Sequence, residues 1–131
     1  MARIIIVDDD DLITEIATDA LDTAGHIVSA VHDGRLAFAA IEAGEPDLVI
    51  LDYELPDITG MAILRQLRAQ PRTSHIPIMM LTATSGRLLK LRAEQTGISD
   101  YMVKPFDPRD LVERIETLLT RGKRDTAAAL G

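Results

Sequence analysis

No cysteine occurs among the 131 residues. Disulfides and thiolate metal sites are therefore excluded, and an intracellular, cytoplasmic location fits. Tryptophan is also absent, and two tyrosines and two phenylalanines are the whole aromatic inventory. No run approaches the ~20 apolar residues that a membrane span needs. The N-terminal apolar run is too short for a secretory leader and ends in acids. Positive charge is scarce, with 14 Lys and Arg against 21 Asp and Glu and a formal net charge of −7. Nonspecific binding to nucleic acid or to an anionic membrane is thereby disfavoured.

What is present is one domain's worth of chain, 47% hydrophobic, enough for a single core without covalent staples. Short apolar runs recur at Arg3–Val7, Ile27–Val31, Leu48–Leu51, Ile78–Leu81 and Tyr101–Val103. Most are rich in β-branched residues and bounded by polar or turn residues, so they read as strands. Between them lie segments of helical period. Leu12, Ile13, Ile16, Ala17, Ala20 and Leu21 form one stripe, ending at Gly25. Leu36, Ala37, Ala40 and Ile41 form a second, ending at Gly44. Met61, Leu64, Leu67 and Arg68 form a third, and Arg87 to Thr96 a fourth, ending at Gly97. The fifth starts at Asp107-Pro108, with Asp as cap and Pro in the first helical position. Its stripe is Leu111, Val112, Ile115, Leu118 and Leu119.

Five alternations of strand and helix predict right-handed βαβ units and a parallel sheet covered on both faces. The expected domain runs over 1–121. Residues 122–131 lack periodicity and are expected to be a frayed helix end or linker stump. His26, His32 and His75 are scattered and read as surface residues.

The chemistry-bearing residues all follow predicted strands. Asp8 and Asp9 follow the first, Asp52 the third, Thr82 the fourth and Lys104 the fifth. Read alone, the acids Asp8 to Asp11 equally suit a helix start, with Asp10 or Asp11 as N-cap. In a doubly wound five-stranded sheet of order 2-1-3-4-5, however, all these strand ends meet in one pocket. Asp8, Asp9 and Asp52 could hold a hard divalent cation, and Mg²⁺ is suited because it takes few protein ligands. A carboxylate there can act as nucleophile toward a phosphoryl group. A metal, an ammonium and a hydroxyl would neutralise the phosphoryl oxygens.

Four strings carry a resemblance: Val7-Asp8-Asp9-Asp10, Leu51-Asp52-Tyr53-Glu54-Leu55-Pro56, Leu81-Thr82-Ala83 and Val103-Lys104-Pro105-Phe106. Together, one per strand and in this order, they resemble receiver domains of bacterial two-component response regulators, over about residues 2–120. The resemblance implies the flavodoxin- and CheY-like (βα)₅ fold and a signalling phosphoacceptor rather than an enzyme acting on other substrates. It implies Asp52 as acceptor, Asp8 and Asp9 as metal-binding acids, and the Glu54 backbone carbonyl as a further metal ligand. Thr82 becomes the switch hydroxyl, Lys104 the phosphoryl-pairing lysine, and Tyr101 the aromatic that reports the switch. Pro105 is expected to follow a cis bond, and Glu54 and Thr84 to tune loss of the phosphate. Where the family usually has an acid before the third helix, this chain has Thr59, which can cap as well; Gly60 is read as a permissive turn residue.

The implied partners are a histidine kinase or phosphotransfer protein, and a downstream protein or effector domain. The docking face is that of the fourth helix, fifth strand and fifth helix. Eleven residues follow Thr120, too few for an effector; a stand-alone receiver and one excised from a longer chain both stay open. Lys90, Asp100 and Arg114 resemble charges through which receivers of winged-helix regulators dimerise, although Gln95 stands where an acid is usual. Two other readings are a haloacid-dehalogenase-like Mg²⁺-dependent phosphatase and a nucleotide- or flavin-binding module. The first expects its acid pair last, not first. The second expects glycine in the first strand–helix turn, where this chain has only aspartates.

Overall fold

The computed structural model describes residues 1–130, with side chains described through Gly122. Five strands alternate with five helices: β1 (Arg3–Val7), α1 (Asp11–Thr23), β2 (Ile27–Val31), α2 (Ala37–Gly44), β3 (Leu48–Asp52), α3 (Gly60–Ala69), β4 (Ile78–Thr82), α4 (Arg87–Thr96), β5 (Asp100–Val103) and α5 (Pro108–Leu130). A 3-10 turn at Gly34–Leu36 precedes α2. The sheet is all parallel, in the order β2-β1-β3-β4-β5. The α/β doubly wound fold expected from the sequence is the one observed.

Each central strand feeds two apolar layers, because successive side chains point to opposite faces. Ile5, Val7, Val49, Leu51, Ile78 and Met80 pack on one side with Ile41, Leu64 and Leu67 of α2 and α3. Ile4, Ile6, Leu48, Ile50, Met79 and Leu81 pack on the other with Ala17 and Leu21 of α1 and Leu111, Ile115 and Leu118 of α5. Every residue of β3 and β4 is buried, as expected of strands covered on both faces. Each Leu or Ile so buried is worth about 1.5–3 kcal/mol relative to exposure.

Some expectations were displaced. The α1 stripe is narrower than its apolar residues predict: Leu12 is 63% exposed and Ile16 lies outside the core. Thr14 is buried with Ala17 and Leu21 instead, and its hydroxyl donates to the Asp11 carbonyl, so no polar atom is stranded. Leu36 also stays exposed. His26 is not a surface residue. It is buried, its Nδ1 accepts the Ala2 N–H, and its Nε2 lies 2.9 Å from Glu116 on α5. The expected tail at 122–131 lies almost wholly outside the described side chains; by backbone, α5 runs on to Leu130.

β3 and β4 each extend one residue beyond their predicted ends, to Asp52 and Thr82. Those two residues are thereby held in the last rungs of the ladder, where Asp52 pairs with Leu81 and Thr82 with Val103.

Candidate functional site

The carboxyl ends of β1, β3, β4 and β5 converge on an acidic cluster. Asp8 directly follows β1, and its N–H donates to the Val31 carbonyl of β2 at 3.1 Å. The Asp8 side chain is fully buried and Asp52 is 2% exposed, whereas Asp9 faces solvent. Carboxylate oxygens of Asp8, Asp9 and Asp52 all lie within 4.8 Å of one another. Asp10 caps α1 by accepting the N–H groups of Leu12 and Ile13. Its own N–H donates to Asp8 Oδ1 at 2.9 Å. The acidic run thus serves both purposes: one acid caps the helix and two join the cluster.

Lys104, just past β5, is the cluster's cation. Its Nζ lies 2.8 Å from Asp8 Oδ2 and 3.1 Å from Asp52 Oδ1. Its backbone N–H donates to the Thr82 carbonyl at 2.7 Å, and the Lys104–Pro105 bond is cis. Burial disfavours the ammonium, but Asp8 and Asp52 outweigh it and hold its pKa above the usual lysine value. Burial pushes the Asp52 carboxyl up to about 7; the Asp8 carboxylate adds to the rise, and Lys104 and the Glu54 N–H offset only part of it. One ammonium against three clustered carboxylates leaves an excess of negative charge. Hard oxygen donors with uncompensated charge are the donor set that suits Mg²⁺.

Gly60 sets how closely α3 approaches the end of β3. A Cβ there would lie 2.4 Å from the Asp52 carbonyl oxygen and 2.8 Å from Tyr53 Cα. The glycine is required by close backbone approach, not by a permissive turn. Thr59 caps α3 by accepting the Ala62 N–H at 3.2 Å.

Beyond the acids lies a second polar group. Glu54 Oε1 accepts the Thr82 hydroxyl at 2.5 Å and the Ala83 N–H at 3.0 Å. Its carboxyl is pushed up by burial, but the Thr82 and Ala83 donors outweigh that and hold it below its usual range. Tyr101 is buried, with its hydroxyl donating to the Thr84 carbonyl. Sequence reasoning missed the Glu54 side-chain contacts: it expected the backbone carbonyl as a metal ligand and the residue to tune loss of the phosphate, and named no partner for the carboxylate. Arg114, expected on a dimerisation face, is engaged within the chain, with Nη1 donating to the Tyr101 carbonyl at 2.9 Å and lying 3.7 Å from Asp100.

The family model for the response regulator receiver domain matches residues 4–116. The chain belongs to that family. This receiver is 37% identical to the "DNA-binding dual master transcriptional regulator RpaA" of Synechocystis over 98% of its length, covering 54% of that protein. It is 38% identical to the "Phosphate regulon transcriptional regulatory protein PhoB" of Pseudomonas aeruginosa over 97% of its length, covering 56% of that protein. The chain therefore spans about half the length of these curated relatives. Among solved structures, it is similar to a response regulator from Chloroflexus aurantiacus (TM-score 0.86, 36% identity, 91% of this chain and 98% of that one). It is likewise similar to a CheY-like receiver domain protein from Methanospirillum hungatei (TM-score 0.89, 27% identity, 95% and 98%). The receiver is a phosphoacceptor module of two-component signalling rather than a conventional enzyme. Neither the phosphatase nor the nucleotide-module alternative finds support in these relatives.

Proposed function

We propose that this receiver accepts a phosphoryl group on Asp52 from a histidine kinase or phosphotransfer protein. The observation that carries the reading is the buried Asp8–Lys104–Asp52 arrangement beside exposed Asp9. In the step, an Asp52 carboxylate oxygen forms a bond to phosphorus. The bond from phosphorus to the donor's imidazole nitrogen breaks, and its electron pair stays with the imidazole. Lys104, already 3.1 Å from Asp52, neutralises a phosphoryl oxygen, and the Thr82 hydroxyl donates to another. Mg²⁺, held by the carboxylates of Asp8, Asp9 and Asp52 and the backbone carbonyl of Glu54, would supply further neutralisation of the developing charge.

The downstream partner is read through α4, β5 and α5. Thr82 reaches that face through Tyr101 and the 82–84 segment. Relatives named as DNA-binding regulators support an effector domain as the recipient of the signal. Homodimerisation through Lys90, Asp100 and Arg114 is a second proposed use of the face, for which Arg114 would have to add a partner to its contacts within the chain. The chain itself, at net charge −7, is not the nucleic-acid-binding part, and a cytoplasmic setting suits kinase access. Among the described residues no helix is long and apolar enough to cross a membrane.

The test is phosphate uptake from acetyl phosphate and from a panel of phosphorylated histidine kinases, with and without Mg²⁺, followed by mass. Wild type should gain one phosphoryl group only with Mg²⁺, and Asp52→Asn none. Equal uptake by Asp52→Asn would remove Asp52 as the acceptor.

A further inference from the structure

Glu54 stands two residues past Asp52 and makes four contacts that the acceptor chemistry does not explain. Oε1 accepts the Thr82 hydroxyl at 2.5 Å, the Ala83 N–H at 3.0 Å and the Thr84 hydroxyl at 3.4 Å, and Oε2 lies 3.2 Å from the Ala83 N–H. Two hydroxyls and a backbone N–H converging on one anion make an anion site. The site lies beside the acceptor, because Asp52 pairs in register with Leu81, the residue before Thr82. A phosphoryl group on Asp52 calls on the same donors. A threonine hydroxyl has one proton to donate, so Thr82 cannot serve Glu54 and a phosphoryl oxygen at once.

From this geometry we infer that the Glu54 carboxylate is an internal competitor for the phosphoryl-binding donors, and that it holds the 82–84 segment drawn in before any phosphoryl group arrives. The inference rests on Asp52 being the acceptor. Two observations support the drawn-in state. Thr84 N–H donates to Thr82 Oγ1 at 3.0 Å, tying the segment back on itself. Tyr101 is already buried, with its hydroxyl donating to the Thr84 carbonyl, so the aromatic expected to report the switch is seated against this segment. Phosphorylation then exchanges one anion for another at the same donors. Glu54 must leave, and the repulsion between its carboxylate and the incoming phosphoryl group adds to the cost of entry. Glu54 therefore slows uptake and narrows the difference between the two states of the output face.

Two readouts on the full chain test this. In the absence of Mg²⁺ and phosphodonor, the Ala83 amide proton of wild type should resonate downfield, as a donor to a carboxylate does, and move upfield in Glu54→Ala. With Mg²⁺ and acetyl phosphate, Glu54→Ala should take up phosphate about tenfold faster, the scale of one charge-assisted hydrogen bond. Glu54→Asp separates contact from charge. It keeps the charge but is one methylene too short to hold the three donors, so it should also be faster than wild type. An unmoved Ala83 amide in Glu54→Ala overturns the inference. So does a Glu54→Asp rate equal to wild type, which would leave plain charge repulsion. Uptake by neither wild type nor Glu54→Ala would overturn the acceptor reading itself, whereas uptake by both at one rate would overturn the competition alone.

Discussion

The Lys104 ammonium lies 2.8 Å from an oxygen of Asp8, whose side chain is fully buried. The pair joins residues 96 positions apart and ties the end of β1 to the end of β5, the first and last strands along the chain. Lys104 also touches Asp52. A buried carboxylate without a partner is costly, and removing one member of a buried pair is worse than never having built it.

Lys104→Ala should therefore destabilise the metal-free protein by roughly 2–3 kcal/mol, below the full range for a wholly buried pair because the lysine reaches solvent. Its sign with pH follows from the raised lysine pKa. The contribution is fully present below the unfolded lysine value and is lost as pH rises through the folded one. Urea unfolding at pH 7 and in an alkaline series carried past the usual lysine value measures both: the wild-type advantage over Lys104→Ala should shrink as the raised Lys104 value is passed. An equal gap at both pH values would mean that the lysine acts through packing of its stem.

Gly60→Ala sets a gain in helix propensity of about 1 kcal/mol against a collision. The added methyl meets backbone, at 2.4 Å from the Asp52 carbonyl oxygen, so no side chain can rotate away. The collision should win, with a net loss of about 1–3 kcal/mol. Because the atom displaced belongs to Asp52, the proposed acceptor, affinity for beryllofluoride with Mg²⁺ should fall as well. A variant as stable as wild type with unchanged beryllofluoride binding would show that α3 slides without disturbing β3.

The five strands were legible because parallel strands buried on both faces are near-continuous apolar runs. The site was legible because such a sheet delivers all its carboxyl ends to one edge. What the sequence left hidden were choices among equivalent residues. Leu12 and Ile16 share the helical stripe with Ala17 and Leu21, and only the seating of α1 decides which face is covered. Gly44 looks like a helix stop, yet the left-handed residue is Glu45, and a Cβ on Gly44 would meet Ile5 at 3.1 Å. His26 carries no periodic signal; its burial depends on Ala2 and Glu116, remote in sequence. The Glu54 carboxylate is hidden for the same reason, since its partners begin 28 residues later.

Arg68 was read as an extension of the α3 stripe, and its role is different. Nε donates to the Gly97 carbonyl at 2.9 Å, and Nη1 to the carbonyls of Ser74 and Ile76 at 3.0 and 2.7 Å. Burial lowers the guanidinium pKa, though not enough to discharge it. The side chain ties the end of α4 to the segment entering β4. Arg68→Ala should cost about 2–3 kcal/mol, since hydrogen bonds to a charged donor are worth more than neutral ones. Arg68→Lys should recover only part of that, because an ammonium lacks the planar fork. Thermal unfolding of the two variants checks the ranking, and full rescue by lysine would reduce the role to charge alone.

The Asp52 carboxyl, raised from 3.8 to about 7, ties function to stability. A carboxyl with a raised folded pKa holds its proton more tightly in the folded chain. Its stabilising contribution is full below about pH 4, is lost as pH rises toward 7, and is gone above. Metal-free protein at pH 8 therefore carries a charge that the fold would rather shed. Asp52→Asn keeps the shape and the acceptor for Lys104 while removing that charge. It should be more stable than wild type by roughly 1–2 kcal/mol at pH 8, a size usual for relaxing a functional site. The gap should close near pH 4, where wild-type Asp52 is protonated. Other carboxylates, such as Glu54 with its lowered pKa, titrate in both proteins, so the difference between the two melting curves isolates Asp52. Mg²⁺ at 100 times its dissociation constant should raise wild type by about 2.7 kcal/mol and Asp52→Asn by much less. The combination is diagnostic: acid should erase the mutant's advantage, and metal should reverse it. A metal-free Asp52→Asn that is less stable than wild type at pH 8 would mean that the Lys104–Asp52 contact holds the fold together, and that repulsion in the acidic cluster is the smaller effect.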